Sequence, residues 1–215
     1  MNYDVILLAG FGGPRQLADV VPFLRNVTAG KAIPDARLEQ VGAHYRLFDG
    51  HSPINEQTEA LRDALAAALL AEGIKLPVVI AAQVHALGVP LQVDYVRSYS
   101  NTAGFVAANV AAVVAAFRQL AAAGAPTTEL VFVTHSIPTL MEAASGTARP
   151  ATYSAQHMEV ARLVSAGVSA VLGRELPWRL GYCSRSGPPH SPWLGPDGNE
   201  AIVELARARR TTVLL

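Results

Sequence analysis

Short runs rich in Val, Ile, Leu and aromatic residues alternate along this chain with stretches of helical length. That alternation limits the fold more than any other feature. The runs fall at residues 5–9, 77–82, 130–134 and 178–183, with a last one at 211–215. The first is apolar throughout, as in a strand covered on both faces. Helices are expected at residues 19–26, 35–48, 102–123, 155–172 and 199–209. Another is expected to be capped by Asn55, to run through Leu61, Leu65 and Leu69, and to end near Gly73. Strands alternating with helices predict an α/β protein with a central, mostly parallel sheet.

Two places break this rhythm. Only residues 83–90 separate the run at 77–82 from another extended run at 91–96. A parallel crossover takes about a dozen residues or more, so these two runs either form a hairpin or are not sheet neighbours. The chain also stops inside an apolar, β-branched run. Both observations lead to the expectation that sequence is missing near Ala82 and at the C-terminus.

Hydrophobic residues make up 51% of the chain and charged residues 16%, a balance that suits a packed core and not a disordered segment. Seventeen basic and seventeen acidic residues cancel, which argues against a general nucleic-acid binder. The single cysteine, Cys183, excludes an intramolecular disulfide and any four-cysteine zinc or iron–sulfur site. The N-terminus lacks the basic and long apolar regions of a secretory signal. Apolar runs are expected to be interrupted before membrane-spanning length, giving a soluble, cytoplasmic protein.

Three segments carry candidate chemistry. Gly10-Phe11-Gly12-Gly13-Pro14 follows the first strand but matches neither the dinucleotide fingerprint nor the Walker pattern. Taken alone, it is a turn that uses glycine's backbone freedom. Val131-Phe132-Val133-Thr134-His135-Ser136-Ile137-Pro138 puts His135 at the carboxyl end of a buried strand, where ligands bind in open α/β sheets. An imidazole there can bind a metal, accept a proton, or serve only the structure. The Pro-rich stretch Ser184 to Pro189 leads into Pro192-Trp193-Leu194-Gly195-Pro196-Asp197. Its tryptophan either lines a flat apolar site or packs into the core, and composition does not separate the two.

Taken together and in order, these motifs resemble the ferrochelatase family, specifically its actinobacterial type. The likeness begins with Leu7-Leu8-Ala9-Gly10-Phe11-Gly12-Gly13-Pro14 and Val21-Pro22-Phe23-Leu24-Arg25-Asn26-Val27-Thr28. It continues through His44-Tyr45, Ser52-Pro53-Ile54-Asn55, the hallmark Thr134-His135-Ser136-Ile137-Pro138 and Tyr153-Ser154. Ser184-Arg185-Ser186-Gly187-Pro188-Pro189 and Pro192-Trp193-Leu194 complete it.

The resemblance implies a chelatase-like fold of two Rossmann-like lobes with parallel sheets flanked by helices, the second lobe incomplete. The expected division is 1–125, shortened near 82–96, and 126–215. It implies a monomer that binds a porphyrin, makes peripheral membrane contact at most, and takes Fe2+ as its substrate metal. His135 would be the metal-site histidine, acting as iron ligand or as acceptor of pyrrole protons. Phe11 stands where some relatives have a tyrosine near the metal. Ser52, Asn55 and Trp193 lie on segments that line the porphyrin cleft in the family, and Arg25 is assigned to the porphyrin propionates.

The departures matter too. The family's Asn-rich, Trp-containing cleft segment after the strand at 77–82, and the Ser- and Tyr-rich loop beyond it, have no counterpart here. An Asp-His motif with an essential glutamate follows the last matching strand in the family but not here. The cysteines of the iron–sulfur cluster are absent, so no cluster is expected. The expectation is a ferrochelatase, with coproporphyrin III as substrate, that binds porphyrin weakly and metallates it slowly or not at all. The alternatives are a non-catalytic porphyrin or haem binder and a cobalt chelatase for a related tetrapyrrole.

Overall fold

The computed structural model describes residues 3–30, 33–81, 92–125, 129–146, 151–185, 190–208 and 212–214. The chain divides into two compact units, Met1–Val93 and Asp94–Leu215. The division expected at 125/126 shifts towards the N-terminus because helix α4 packs on α6 and joins the second unit.

In the first unit, β1 (Ile6–Ala9) and β2 (Val78–Ala81) pair in parallel, with Ile6 opposite Val78. Helices α1 (Leu17–Val27), α2 (Asp35–Arg46) and α3 (Ile54–Ala71) lie between them in sequence. Val20 and Leu24 from α1 and Leu38 from α2 form a small core, with Phe23, Val41 and Tyr45 packed around it. Their spacing puts them on one face of each helix. Helix α3 starts one residue earlier than its expected cap, with Pro53 at the cap position. Asn55 therefore lies inside the first turn, and its side chain is committed to another segment.

The second unit has a parallel three-stranded sheet in the order β4 (Trp178–Cys183), β3 (Glu129–His135), β5 (Thr212–Leu214). Strand β3 alternates between two cores. Leu130 and Phe132 meet Val113, Val114 and Phe117 of α4 (Ala103–Ala122) and Val164 and Val168 of α6 (Tyr153–Leu172). Val131 and Val133 meet Ala201 and Leu205 of α7 (Gly198–Arg207). Helices thus cover both faces, which is why the run is apolar without polar alternation. Full burial of a side chain such as Leu130 contributes about 1.5–3 kcal/mol.

Local signals set the helix ends. Thr152 caps α6 by accepting from the Ala155 amide, and Gly173 ends it in the left-handed conformation at φ 66°. Asp197 caps α7 through the Asn199 amide at 2.7 Å, the role its position after a proline indicates. At the base of the sheet, Glu129 is 2% exposed and accepts from Arg179 Nε at 2.5 Å. Arg179 in turn reaches Glu204 of α7 at 3.0 Å. The Glu129 hydrogen bond leads in raising the Arg179 pKa above its ordinary value.

Several expectations need correction. Residues 92–96 form no strand, while residues 82–91, where sequence was expected to be missing, lie outside the described residues. A short helix, α5 (Thr139–Ser145), follows the His135 turn and was not anticipated. Helix α4 is long and apolar enough to cross a bilayer by length and composition, contrary to the expectation of interrupted runs. Nine of its twenty residues are alanines, which raise hydropathy while burying little area, and Val113, Val114 and Phe117 pack it into the core.

Candidate active site

Strand β3 delivers His135 as its last residue, with the imidazole exposed at the carboxyl edge of the sheet. Successive side chains point to opposite faces of a strand. Thr134 faces α6, where its hydroxyl lies 2.9 Å from the Tyr153 phenol. His135 therefore falls on the α7 side, register-paired with Cys183 at the end of β4.

The backbone around His135 is held at several points. The Tyr153 hydroxyl donates to the His135 carbonyl at 2.9 Å. The next amide, from Ser136, donates to the Cys183 carbonyl at 2.7 Å. Ser136 is 1% exposed and its hydroxyl donates to the Leu194 carbonyl at 2.8 Å.

That bond draws in the Pro-rich strap. The Leu194 amide donates to the Ile137 carbonyl at 3.0 Å and the Thr139 amide to the Pro192 carbonyl at 3.1 Å. Pro138 and Trp193 thereby face each other in an antiparallel bridge. Trp193, one of the expected cleft residues, thus bridges to the residue three positions after His135. Its indole Nε1 is buried and has no hydrogen-bond partner among the described residues. At the end of β4, Ser184 adopts φ 60°, an uncommon conformation for a residue with a side chain. Its hydroxyl donates to the Cys183 sulfur at 3.5 Å. The Arg185 guanidinium donates to the Ser191 carbonyl at 3.1 Å. Residues 186–189 of this motif lie outside the described residues.

The helix approaches the sheet closely here. A Cβ on Gly181 of β4 would come within 2.8 Å of the Gly198 Cα, so α7 sits against the strand with no side chain between them. This brings the strap from Pro192 to Asp197 over the sheet edge, where the Tyr182 amide donates to the Pro196 carbonyl at 2.8 Å.

Acidic groups near this edge are already engaged. Glu142 of α5 accepts from the Ser154 amide at 3.2 and 3.3 Å and from the Ser154 hydroxyl. Burial pushes the Glu142 pKa up, but hydrogen bonds from Ser154 and Thr152 and the charge of His157 hold it below the ordinary value. Glu159 is paired with Arg162 at 2.8 Å, and Asp197 with the start of α7. Burial, with the charges of Glu142 and Tyr153, raises the Tyr182 phenol above its ordinary value. No cluster of three or more His, Cys, Asp or Glu side chains suited to a metal occurs among the described residues.

The remaining expected residues belong to the first unit, where two of them, Ser52 and Asn55, converge on Gly13. Asn55 grips Gly13 at both backbone atoms, accepting from its amide at 3.2 Å and donating to its carbonyl at 3.0 Å. A Cβ on Gly13 would stand 2.7 Å from the Ser52 side chain. The Ser52 amide donates to the Pro14 carbonyl at 2.9 Å. The glycine loop and the Ser52–Asn55 segment are therefore one structure. Phe11 is 68% exposed and its ring meets Phe23 edge-on at 5.9 Å between centroids. Arg25 is turned towards Asp35, which accepts from it at 2.8 and 3.2 Å.

Sequence reasoning missed the Thr134–Tyr153–His135 connection and the grip of Glu142 on Ser154. Thr134, the first polar residue after the apolar run Leu130 to Val133, was the one available hint.

Known proteins match this sequence over most of its length. The family model for ferrochelatases matches residues 3–87 and 82–215. A coproporphyrin III ferrochelatase of Streptomyces griseus subsp. griseus is 40% identical, the match covering 91% of this chain and 66% of the relative. One from Streptomyces coelicolor is 37% identical over 99% of this chain and 71% of its own length. A ferrochelatase of Rhodopirellula baltica is 34% identical over 99% and 70%. The chain thus spans about two thirds of the length of these relatives. The Streptomyces coelicolor match runs over 267 residues, more than the 215 of this chain, so that relative carries sequence inside the matched span that this chain lacks. With the motifs in order and the family model matched over nearly all of its length, the chain belongs to the ferrochelatase family.

Proposed function

We propose that this protein inserts ferrous iron into a porphyrin, with coproporphyrin III as substrate, and that His135 is its catalytic residue. The observation that carries the reading is an exposed imidazole on a fixed backbone at the carboxyl edge of β3, beside the Trp193 strap.

Metallation exchanges two pyrrole protons for one Fe2+, so a group at the macrocycle must accept protons or receive the metal. An imidazole does either near neutral pH. The macrocycle must also bend to expose its nitrogen lone pairs, and contacts to its periphery can supply that distortion. Phe11, Trp193 and the segment bearing Ser52 and Asn55 are assigned to those contacts, Asn55 acting through the Gly13 loop that its side chain holds. Arg25 is assigned to a propionate, which would compete with Asp35 for the guanidinium. The protein is assigned to the cytoplasm as a monomer that does not bind nucleic acid. Peripheral membrane contact, if made, would use the exposed Leu47 and Phe48 at the end of α2.

A second reading is a porphyrin or haem binder without turnover. It is favoured by the commitment of Glu142, Glu159 and Asp197 to other partners, which leaves none of them ready to share proton transfer with His135. Anaerobic incubation with Fe2+ and coproporphyrin III, followed by absorbance, separates the two. Conversion of the porphyrin spectrum to that of its iron complex supports the enzyme. Tight binding with no conversion supports the binder.

A further inference from the structure

We infer that Tyr153 is a positioning residue for His135, gripping its carbonyl from the first turn of α6. The inference rests on the assignment of His135 as the catalytic residue. Tyr153 has one hydroxyl hydrogen, and the bond to the His135 carbonyl at 2.9 Å uses it. The contact with Thr134 at 2.9 Å must then run the other way, with the threonine hydroxyl donating to the phenol oxygen. Thr134 thus fixes where the phenol sits, and the phenol fixes the peptide that follows the His135 side chain.

Tyr153 is itself immobilised from several directions. Its amide donates to the Ser145 hydroxyl at 2.8 Å, and the neighbouring Ser154 is held by Glu142. Its carbonyl lies 2.8 Å from His157 Nδ1, so that nitrogen carries the proton. The His157 ring rests against the phenol ring, 4.3 Å between centroids. An exposed imidazole has few contacts of its own to define its place, so its aim depends on the backbone that bears it. Tyr153 sets one side of that backbone and the Ser136 amide, bonded to Cys183, sets the other.

The experiment uses the full chain and the variants Tyr153→Phe, Thr134→Val and Thr134→Ser. It measures anaerobic metallation of coproporphyrin III and, separately, the Zn2+-induced shift of the His135 ring resonances by NMR. Tyr153→Phe is expected to lower kcat about tenfold, with KM for porphyrin within about twofold, because misplacement costs rate more than binding. The Zn2+ response at His135 should weaken severalfold in the same variant. Thr134→Val should move both readouts in the same direction, and Thr134→Ser, which keeps the hydroxyl, should restore them. If Tyr153→Phe does not fold, the Thr134 pair decides. Wild-type values of kcat and of the Zn2+ response in the variants would overturn the inference while leaving the enzyme reading intact. If the wild-type chain itself does not metallate, that reading fails, and the Zn2+ response alone decides whether Tyr153 positions His135.

Discussion

Each unit of this protein has a strand-exit loop clamped by a side chain from the first turn of a helix, and the two clamps differ in kind. In the first unit, Asn55 of α3 takes both backbone atoms of Gly13, and the loop is so close that residue 13 has no room for a side chain. In the second, Tyr153 of α6 takes only the carbonyl of His135, and the side chain at that position is free in solvent. A clamp that fills the space makes a scaffold. One that grips only the main chain leaves room for chemistry.

The comparison can be tested by mutation, and the largest effect is expected at the open clamp. His135→Ala should reduce the initial rate of iron insertion by about a hundred- to ten-thousand-fold, the usual contribution of a general acid–base group. Porphyrin affinity, read by fluorescence quenching, should stay within a few-fold of wild type. Equal loss of both would mean that His135 serves the scaffold, as Gly13 does.

At the closed clamp the effect should appear as stability. Gly13→Ala drives a methyl group into Ser52 and should cost about 1–3 kcal/mol in urea unfolding, the usual range for overpacking. An unchanged midpoint would show that the loop has slack. Asn55→Ala removes two hydrogen bonds to Gly13 and should cost about 1–2 kcal/mol. Asn55→Asp keeps the acceptor but loses the donor, so it should not rescue. If it does, the carbonyl half of the clamp is dispensable.

The smallest effect concerns acid. Glu142 holds the start of α6, and with it the base of the Tyr153 clamp, through a carboxylate whose pKa is depressed in the folded state. A depressed folded-state pKa adds stability at pH values above the unfolded pKa. That contribution disappears as pH falls through the folded value. Thermal melts should therefore show wild type losing more stability than Glu142→Gln between neutral pH and the acid side of the carboxylate range. Parallel pH profiles for the two proteins would remove Glu142 from the clamp.

The strands were legible in the sequence because short apolar runs carry their own signal, and β4 matches the expected run end for end. The position of His135 at the edge of β3 followed from the polar turn after it. The Asn55 cap was misread, since an asparagine near a helix start serves the helix's own amides far more often than a glycine 42 residues away. Helix α5, only seven residues long, gave too little periodicity to register. The Tyr153 grip was invisible for a different reason. It joins residues 18 apart across a strand–helix corner, and nothing in either residue type announces the pair. The lobe boundary was placed after α4 because helix and strand alternate there without a linker, and only packing shows which side the helix joins.

The bond from Ser136 to the Leu194 carbonyl has a genetic consequence. Its two ends differ in what they demand of the sequence. Position 136 must supply a buried hydroxyl, whereas position 194 contributes only main chain, which every amino acid provides. A screen for suppressors of Ser136→Ala should therefore return reversions or threonine at position 136 itself. Side-chain changes at 194 cannot restore the lost donor. The strap over the sheet edge is thus written at one codon and merely received at the other.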